Sequence, residues 1–107
     1  MKTFGTIISE ARKASGISQR ELAAKIKKDD GTTISAQYLN DVEHDRRNPP
    51  SEHIIAQMAD LLELSNDLLC AAANTLPDDL RKLALKNPDK FEDAMRAFRK
   101  PQSEVRT

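Results

Sequence analysis

ISQRELAAKI (17–26), the polar run KKDDGTT (27–33) and ISAQYLNDVEHDRRNPPS (34–51) decide how this chain folds. In the first block Ser18 and Glu21 form an S-x-x-E capping box, in which each side chain satisfies a free backbone N–H at a helix start. Ile17 is placed to staple onto Leu22, and Leu22, Ala23 and Ile26 then face inward. The spacing predicts a short helix ending near Lys27. KKDDGTT reads as a turn broken at Gly31. A second capped helix opens at Ser35, with Ile34 placed to staple onto Leu39. Only Leu39 and Val42 give that helix an inward side, so Ala36, Gln37, Asn40, Asp41 and His44 fall outside. A helix so lightly anchored, with so polar a leading edge, suits presentation of side chains better than burial. HDRRNPP (44–50) is a basic loop stopped by Pro49 and Pro50.

Working outward, Phe4, Ile7, Ile8 and Ala11 recur at helical spacing and predict a helix over 3–14, with Gly16 as a left-handed cap. Downstream, a helix from Ser51 turns Ile54, Ile55, Met58, Leu61 and Leu62 inward. Another from Ser65 does the same with Leu68, Leu69 and Ala72, and Leu64 staples onto Leu69. Strand alternation is absent, so the expected class is all-α, a five-helix bundle. The tail differs. Pro77 sits as a first-turn proline ahead of Asp78 and Asp79, predicting a helix over 77–86. Asn87-Pro88 breaks it and starts another over 88–99, ended by Pro101. Leu80, Leu83, Phe91, Met95 and Phe98 form the apolar side of this pair, and residues 101–107 read as a frayed, disordered tail.

Composition narrows the function. The chain has 107 residues, with 17 Lys and Arg against 17 Asp and Glu, and 38% hydrophobic residues. That is one domain with a short appendage. Neutral net charge argues weakly against nucleic acid, but its distribution does not. Residues 51–75 carry acids and no Lys or Arg, while both flanks are mildly basic. No apolar run reaches membrane-spanning length, and no basic start followed by an apolar stretch reads as a signal peptide. With Cys70 the single cysteine, a reducing cytoplasm is the expected location and Cys70 an expected core residue. One cysteine with His44 and His53 cannot build a tetrahedral zinc site, so no metal is expected. No phosphate-cradling glycine loop and no framed nucleophile is present. Neither catalysis, a cofactor nor a small-molecule ligand is expected.

The blocks ISQRELAAKI (17–26), ISAQYLNDVEHDRRNPPS (34–51) and MADLLELSNDLL (58–69) recur in the order of the phage-repressor, or Cro-like, helix-turn-helix family, which Phe4–Leu69 resembles. The chain departs from that pattern in a longer turn between its second and third helices. It departs again at Asp45, where the family has Gly. The resemblance implies a bundle binding double-stranded DNA, with helix 35–45 in the major groove. It places Ala36, Gln37, Tyr38, Asn40 and Asp41 around base edges. The Gln37 amide can donate and accept together, matching adenine's N6/N7 edge. The resemblance also implies phosphate contacts from Gln19, Ser35, Arg46, Arg47 and Asn48, with Lys27 and Lys28 of the long turn adding to them. Arg12 and Glu43 match the family's structural ion pair.

The organisation expected on these grounds is a DNA-binding domain over 1–75 and a helical extension over 76–100. The face Leu80/Leu83/Phe91/Met95/Phe98 would then hold a second copy or a partner protein. The function expected is a dimeric repressor occupying an inverted repeat, since a two-fold protein mirrors a two-fold site. The competing expectation is an antitoxin-like or accessory module that holds a regulatory protein partner through the tail.

Overall fold

The structure is a computed structural model and describes residues 1–100. Among the described residues there are seven helices: α1 (Phe4–Ala14), α2 (Gln19–Ala23), α3 (Ala36–Glu43), α4 (Glu52–Leu62), α5 (Asn66–Ala72), α6 (Asp78–Lys86) and α7 (Pro88–Arg99). The tail expected over 101–107 lies outside the described residues. The chain divides into two compact units, Met1–Leu76 and the segment from Pro77.

The first unit is the five-helix bundle. Its helices begin where the sequence supplies caps. Thr3, Ser18, Ser35 and Ser65 each take extended backbone, and their side-chain oxygens accept from an N–H in the first turn. The reciprocal box of Ser18 and Glu21 is complete, and the hydrogen bonds from Ser18 hold the Glu21 carboxyl below its ordinary value. Gly16 closes the first helix at φ 73°. The core joins Phe4, Ile8, Leu22, Ile26, Ile34, Leu39, Val42, Ile55, Met58, Leu69 and Cys70, with Ile7, Ala11, Ile17 and Leu64 packed against it.

Two inward assignments are corrected. Leu61 is exposed and Leu68 is 71% exposed. The buried side of α4 is Ile54, Ile55, Met58, Ala59 and Leu62, and that of α5 is Leu69 and Cys70. Ala59 is buried on α4 where Leu61 was expected, and on α5 Leu69 and Cys70 suffice without Leu68.

The second helix also stops at Ala23, short of Lys27. Its last turn is given over to a small hairpin. Lys27 pairs antiparallel with Thr33, the Ile34 N–H donates to the Ile26 carbonyl, and the Lys28 N–H donates to the Thr32 carbonyl. Gly31 turns the tip at φ 89°, and Asp30 accepts from the backbone and hydroxyl of Thr32. Gln57 of α4 clamps the base. Its Oε1 accepts from the Lys27 N–H and its Nε2 donates to the Lys27 carbonyl, each at 2.8 Å. The long turn is therefore an ordered element fastened to α4.

In the second unit α6 packs on α7, and neither helix contains a buried residue. Pro77 precedes α6 as its N-cap, one position earlier than expected, and Pro88 opens α7 as its first residue.

Candidate nucleic-acid interface

The helix α3 has two sides with opposite duties. Its inner side is locked to the bundle by a charged pair, Arg12 and Glu43, the buried charged residues among those described. Arg12 of α1 donates from Nε to Glu43 Oε2 at 2.6 Å and from Nη2 to Oε1 at 3.0 Å, a two-point pairing. The side chains of Arg12 and Glu43 are 10% and 2% exposed. The third Arg12 contact, from Nη1 to the Ile17 carbonyl at 2.9 Å, ties in the loop before α2. Burial pushes the Glu43 carboxyl up. The hydrogen bonds from Arg12 and Gln19, with the charge on Arg12, outweigh it and hold the carboxyl below its ordinary value. The hydrogen bond to Glu43 raises the Arg12 guanidinium against the opposing effect of burial.

Gln19, at the start of α2, joins this lock. Its Nε2 donates to Glu43 Oε1 at 2.9 Å and to Asn40 Oδ1 at 3.1 Å. Both amide hydrogens are engaged within the protein, so the free acceptor of Gln19 is its Oε1. The contact with Asn40 turns the Asn40 amide so that its Nδ2 is the uncommitted end. The angle between the two helices is thus fixed by side chains as well as by the hairpin.

The outer side carries Gln37, Asn40, Asp41 and the half-buried Tyr38. Gln37 donates to Asp41 Oδ1 at 3.0 Å. Arg46 reaches the same oxygen at 3.3 Å, and Arg47 stands 3.8 Å from the other. Asp41 therefore gathers the basic loop after α3 onto the helix, a role its residue type alone did not disclose. The Arg47 guanidinium also lies over the Tyr38 ring, 5.2 Å from its centroid. Burial raises the Tyr38 hydroxyl, opposed by the charge of Arg47. Lys28 of the hairpin, Ser35, Tyr38 and Arg47 line one open cleft of about 360 Å³, floored by Ile34 and Ile54. Ala36 is half-buried, Asn48 is exposed in the loop after α3, and Lys27 is exposed beside its clamped backbone.

Asp45 has a place the sequence did not reveal. It adopts φ 56°, the left-handed conformation that Gly would take without cost. Its Oδ1 accepts from the Gly5 N–H at 3.0 Å and its Oδ2 from the Thr3 hydroxyl at 2.6 Å. The carboxylate is turned to the positive end of α1. Gly5 makes that approach possible. A Cβ there would lie 2.4 Å from the Val42 carbonyl oxygen and 2.7 Å from that of Glu43.

A two-helix reading head, packed by its inner side and polar on its outer side, is now in view. The family model described as Helix-turn-helix, HTH_3, matches residues 8–69. The chain belongs to this Cro/C1-type helix-turn-helix family. Helix-turn-helix proteins of this type are double-stranded-DNA-binding transcription regulators, and the match spans α2, the hairpin and α3. No curated protein and no solved structure matches the chain. No helix among the described residues is long and apolar enough to cross a membrane, and no cluster of His, Cys, Asp and Glu there could hold a metal ion.

Proposed function

We propose that the protein is a sequence-specific repressor that binds an inverted repeat as a dimer, with α3 in the major groove. The carrying observation is the division of α3 into an inner side locked by Arg12 and Glu43 and an outer side bearing Gln37, Asn40 and Asp41. A rigidly held helix can place amide groups on base edges without loss on binding. Gln37 reads a base by its two-sided amide, and Asn40 presents its Nδ2 as a donor. Ala36 contacts a thymine methyl, and Tyr38 and Asp41 flank these positions. Arg46, Arg47 and Asn48 clamp the backbone after α3. Gln19 holds it through its backbone N–H at the start of α2, Ser35 through its hydroxyl at the start of α3, and Lys27 and Lys28 from the hairpin.

Dimerisation is assigned to the extension over 76–100 through Leu80, Leu83, Phe91, Met95 and Phe98. A second reading, capture of a regulatory protein by the same face as in an antitoxin, is favoured by the exposure of Leu83 and Phe98. Selection of bound duplexes from a random pool at roughly 0.15 M salt, where non-specific contacts are weakened, tests the proposal. An enriched inverted repeat with half-site centres about one helical turn apart is expected. A single enriched half-site would remove the dimer, and no enrichment from folded protein would remove sequence-specific recognition by the chain alone.

A further inference from the structure

The unit from Pro77 contains two helices, of 9 and 12 residues, and no buried side chain in either. Isolated helices of such length are marginal in water, and their stability in proteins comes from covering an apolar face. Here that face is only partly covered: Phe91 and Met95 are half-buried, while Leu83 is 53% and Phe98 72% exposed. On α7 the apolar row is Phe91, Met95 and Phe98, at the i, i+4, i+7 spacing of a helix seam. Along one flank of that row, seven residues apart and so on the same side, stand Glu92 and Arg99. A groove of about 200 Å³ runs between them, lined by Phe91, Glu92, Met95, Arg96 and Arg99.

The charges of α7 are ordered. Asp89, Glu92 and Asp93 fall in its first half, where Lys90 is the one base, and Arg96 and Arg99 fall in its second, so the acidic excess precedes the basic one. Arg96 is taken by Asp93 within the helix at 2.6 Å, whereas Glu92 and Arg99 make no hydrogen bond or ion pair among the described residues. A helix whose seam is flanked by an acid at one end and a base at the other complements itself only when turned end to end.

We infer that the occupant of this face is the α7 of a second copy, packed antiparallel about Met95, with Glu92 of each chain opposite Arg99 of the other. This rests on the dimer proposed above and adds its geometry. The operation is a two-fold, so one contact patch serves both chains and the assembly closes at two. A parallel pairing would set Glu92 against Glu92 and Arg99 against Arg99.

Sedimentation of the full chain, together with a cross-linking experiment, tests it. The wild type is expected to be a dimer. Glu92→Arg and Arg99→Glu, each placing like charges across the seam, are expected to shift it to monomer, and the double variant to return it to dimer. Dimers that persist unchanged in both single variants would overturn the inference while leaving the dimer standing. A monomeric wild type would overturn both. A double variant that stays monomeric with wild-type helix content by circular dichroism would overturn the charge pairing.

Because a charge reversal can weaken α7 itself, a mixture of Glu92→Cys and Arg99→Cys chains gives a second reading. Oxidation is expected to link position 92 of one chain to position 99 of the other. Links only between like positions would overturn the antiparallel arrangement. Half-site binding by α3 is expected to persist in all of these variants, which separates a failure of the seam from a failure of DNA recognition.

Discussion

The two units of this chain handle charge in opposite ways. In the first, Arg12 and Glu43 are buried and joined at two points, with Gln19 completing the acceptor shell. In the second, ion pairs are exposed and local, Arg81 and Lys82 with Asp78 and Arg96 with Asp93. Pairs of that kind contribute little to stability. The apolar residues divide likewise. Most of those of the first unit close into one core, while Leu83, Leu85 and Phe98 of α6 and α7 stand exposed. The first unit's shape is set by its own core, and the second carries several apolar side chains in solvent.

The largest test of that contrast is Arg12→Ala. Removing one member of a buried pair strands the other, a loss of about 3–5 kcal/mol. Most of a small domain's stability would go, and denaturant unfolding would show it. The pH dependence has a fixed sign. The Glu43 carboxyl lies below its ordinary value in the folded chain, so its contribution is complete above the unfolded value of about 4.3 and is lost as pH falls through the lower, folded value. Wild-type stability should therefore decline on acidification below that range, and Glu43→Gln should decline less over it. Equal slopes would mean that the pair does not govern acid stability.

Truncation of apolar side chains divides the two units next. Leu22 is wholly buried, and Leu22→Ala should cost about 2–5 kcal/mol, from lost burial and the cavity left behind. Leu83→Ala should change the unfolding free energy of the first unit by no more than about 0.5 kcal/mol, as for exposed sites. Its effect belongs in the concentration dependence of self-association. Comparable losses from the two variants in the monomer would erase the distinction drawn between the units.

Recognition and assembly should then separate by residue. Gln37→Ala is expected to weaken specific DNA binding by about 1–3 kcal/mol, with non-specific binding and oligomeric state unchanged. Phe98→Glu is expected to do the reverse, sparing each half-site contact and abolishing the dimer. Titration of one operator half-site and of the full inverted repeat, for both variants, measures the four quantities.

Much of the first unit was legible because its signals are local. Ser18 with Glu21, the apolar spacing of Phe4 and Ile8, and the terminators Gly16 and Pro49 each act within a turn or two of chain. What escaped depends on side chains from distant segments. Nothing near Gln57 marks it as the clamp on Lys27, 30 positions away. Asp41 is a different case: Gln37, Arg46 and Arg47 lie within six positions of it, but which side chains of a polar stretch meet on one carboxylate is set by rotamers that spacing does not carry. Leu61 and Leu68 were expected inside because an apolar residue at helical spacing defaults to the core. Which of two adjacent apolar positions is buried depends on how α4 and α5 cross, and periodicity does not carry that angle.

The smallest effect expected is at Asp45, where two influences oppose. Its left-handed backbone favours glycine, whereas its carboxylate accepts from the Thr3 hydroxyl and the Gly5 N–H at the start of α1. Asp45→Ala loses the cap and puts a residue less tolerant of the left-handed backbone at φ 56°, so both changes destabilise, by about 1–2 kcal/mol together. Asp45→Gly loses the same cap but relieves the backbone, and the two should nearly cancel, within about 0.5 kcal/mol. The ordering is the informative quantity. If Asp45→Ala unfolds at the wild-type midpoint, the contacts to α1 contribute nothing and the approach of helix to loop is held by the Gly5 packing alone. If Asp45→Gly is as damaging as Asp45→Ala, the carboxylate dominates. The residue would then be a tie between the end of α3 and the start of α1, stronger than the glycine usual at this turn.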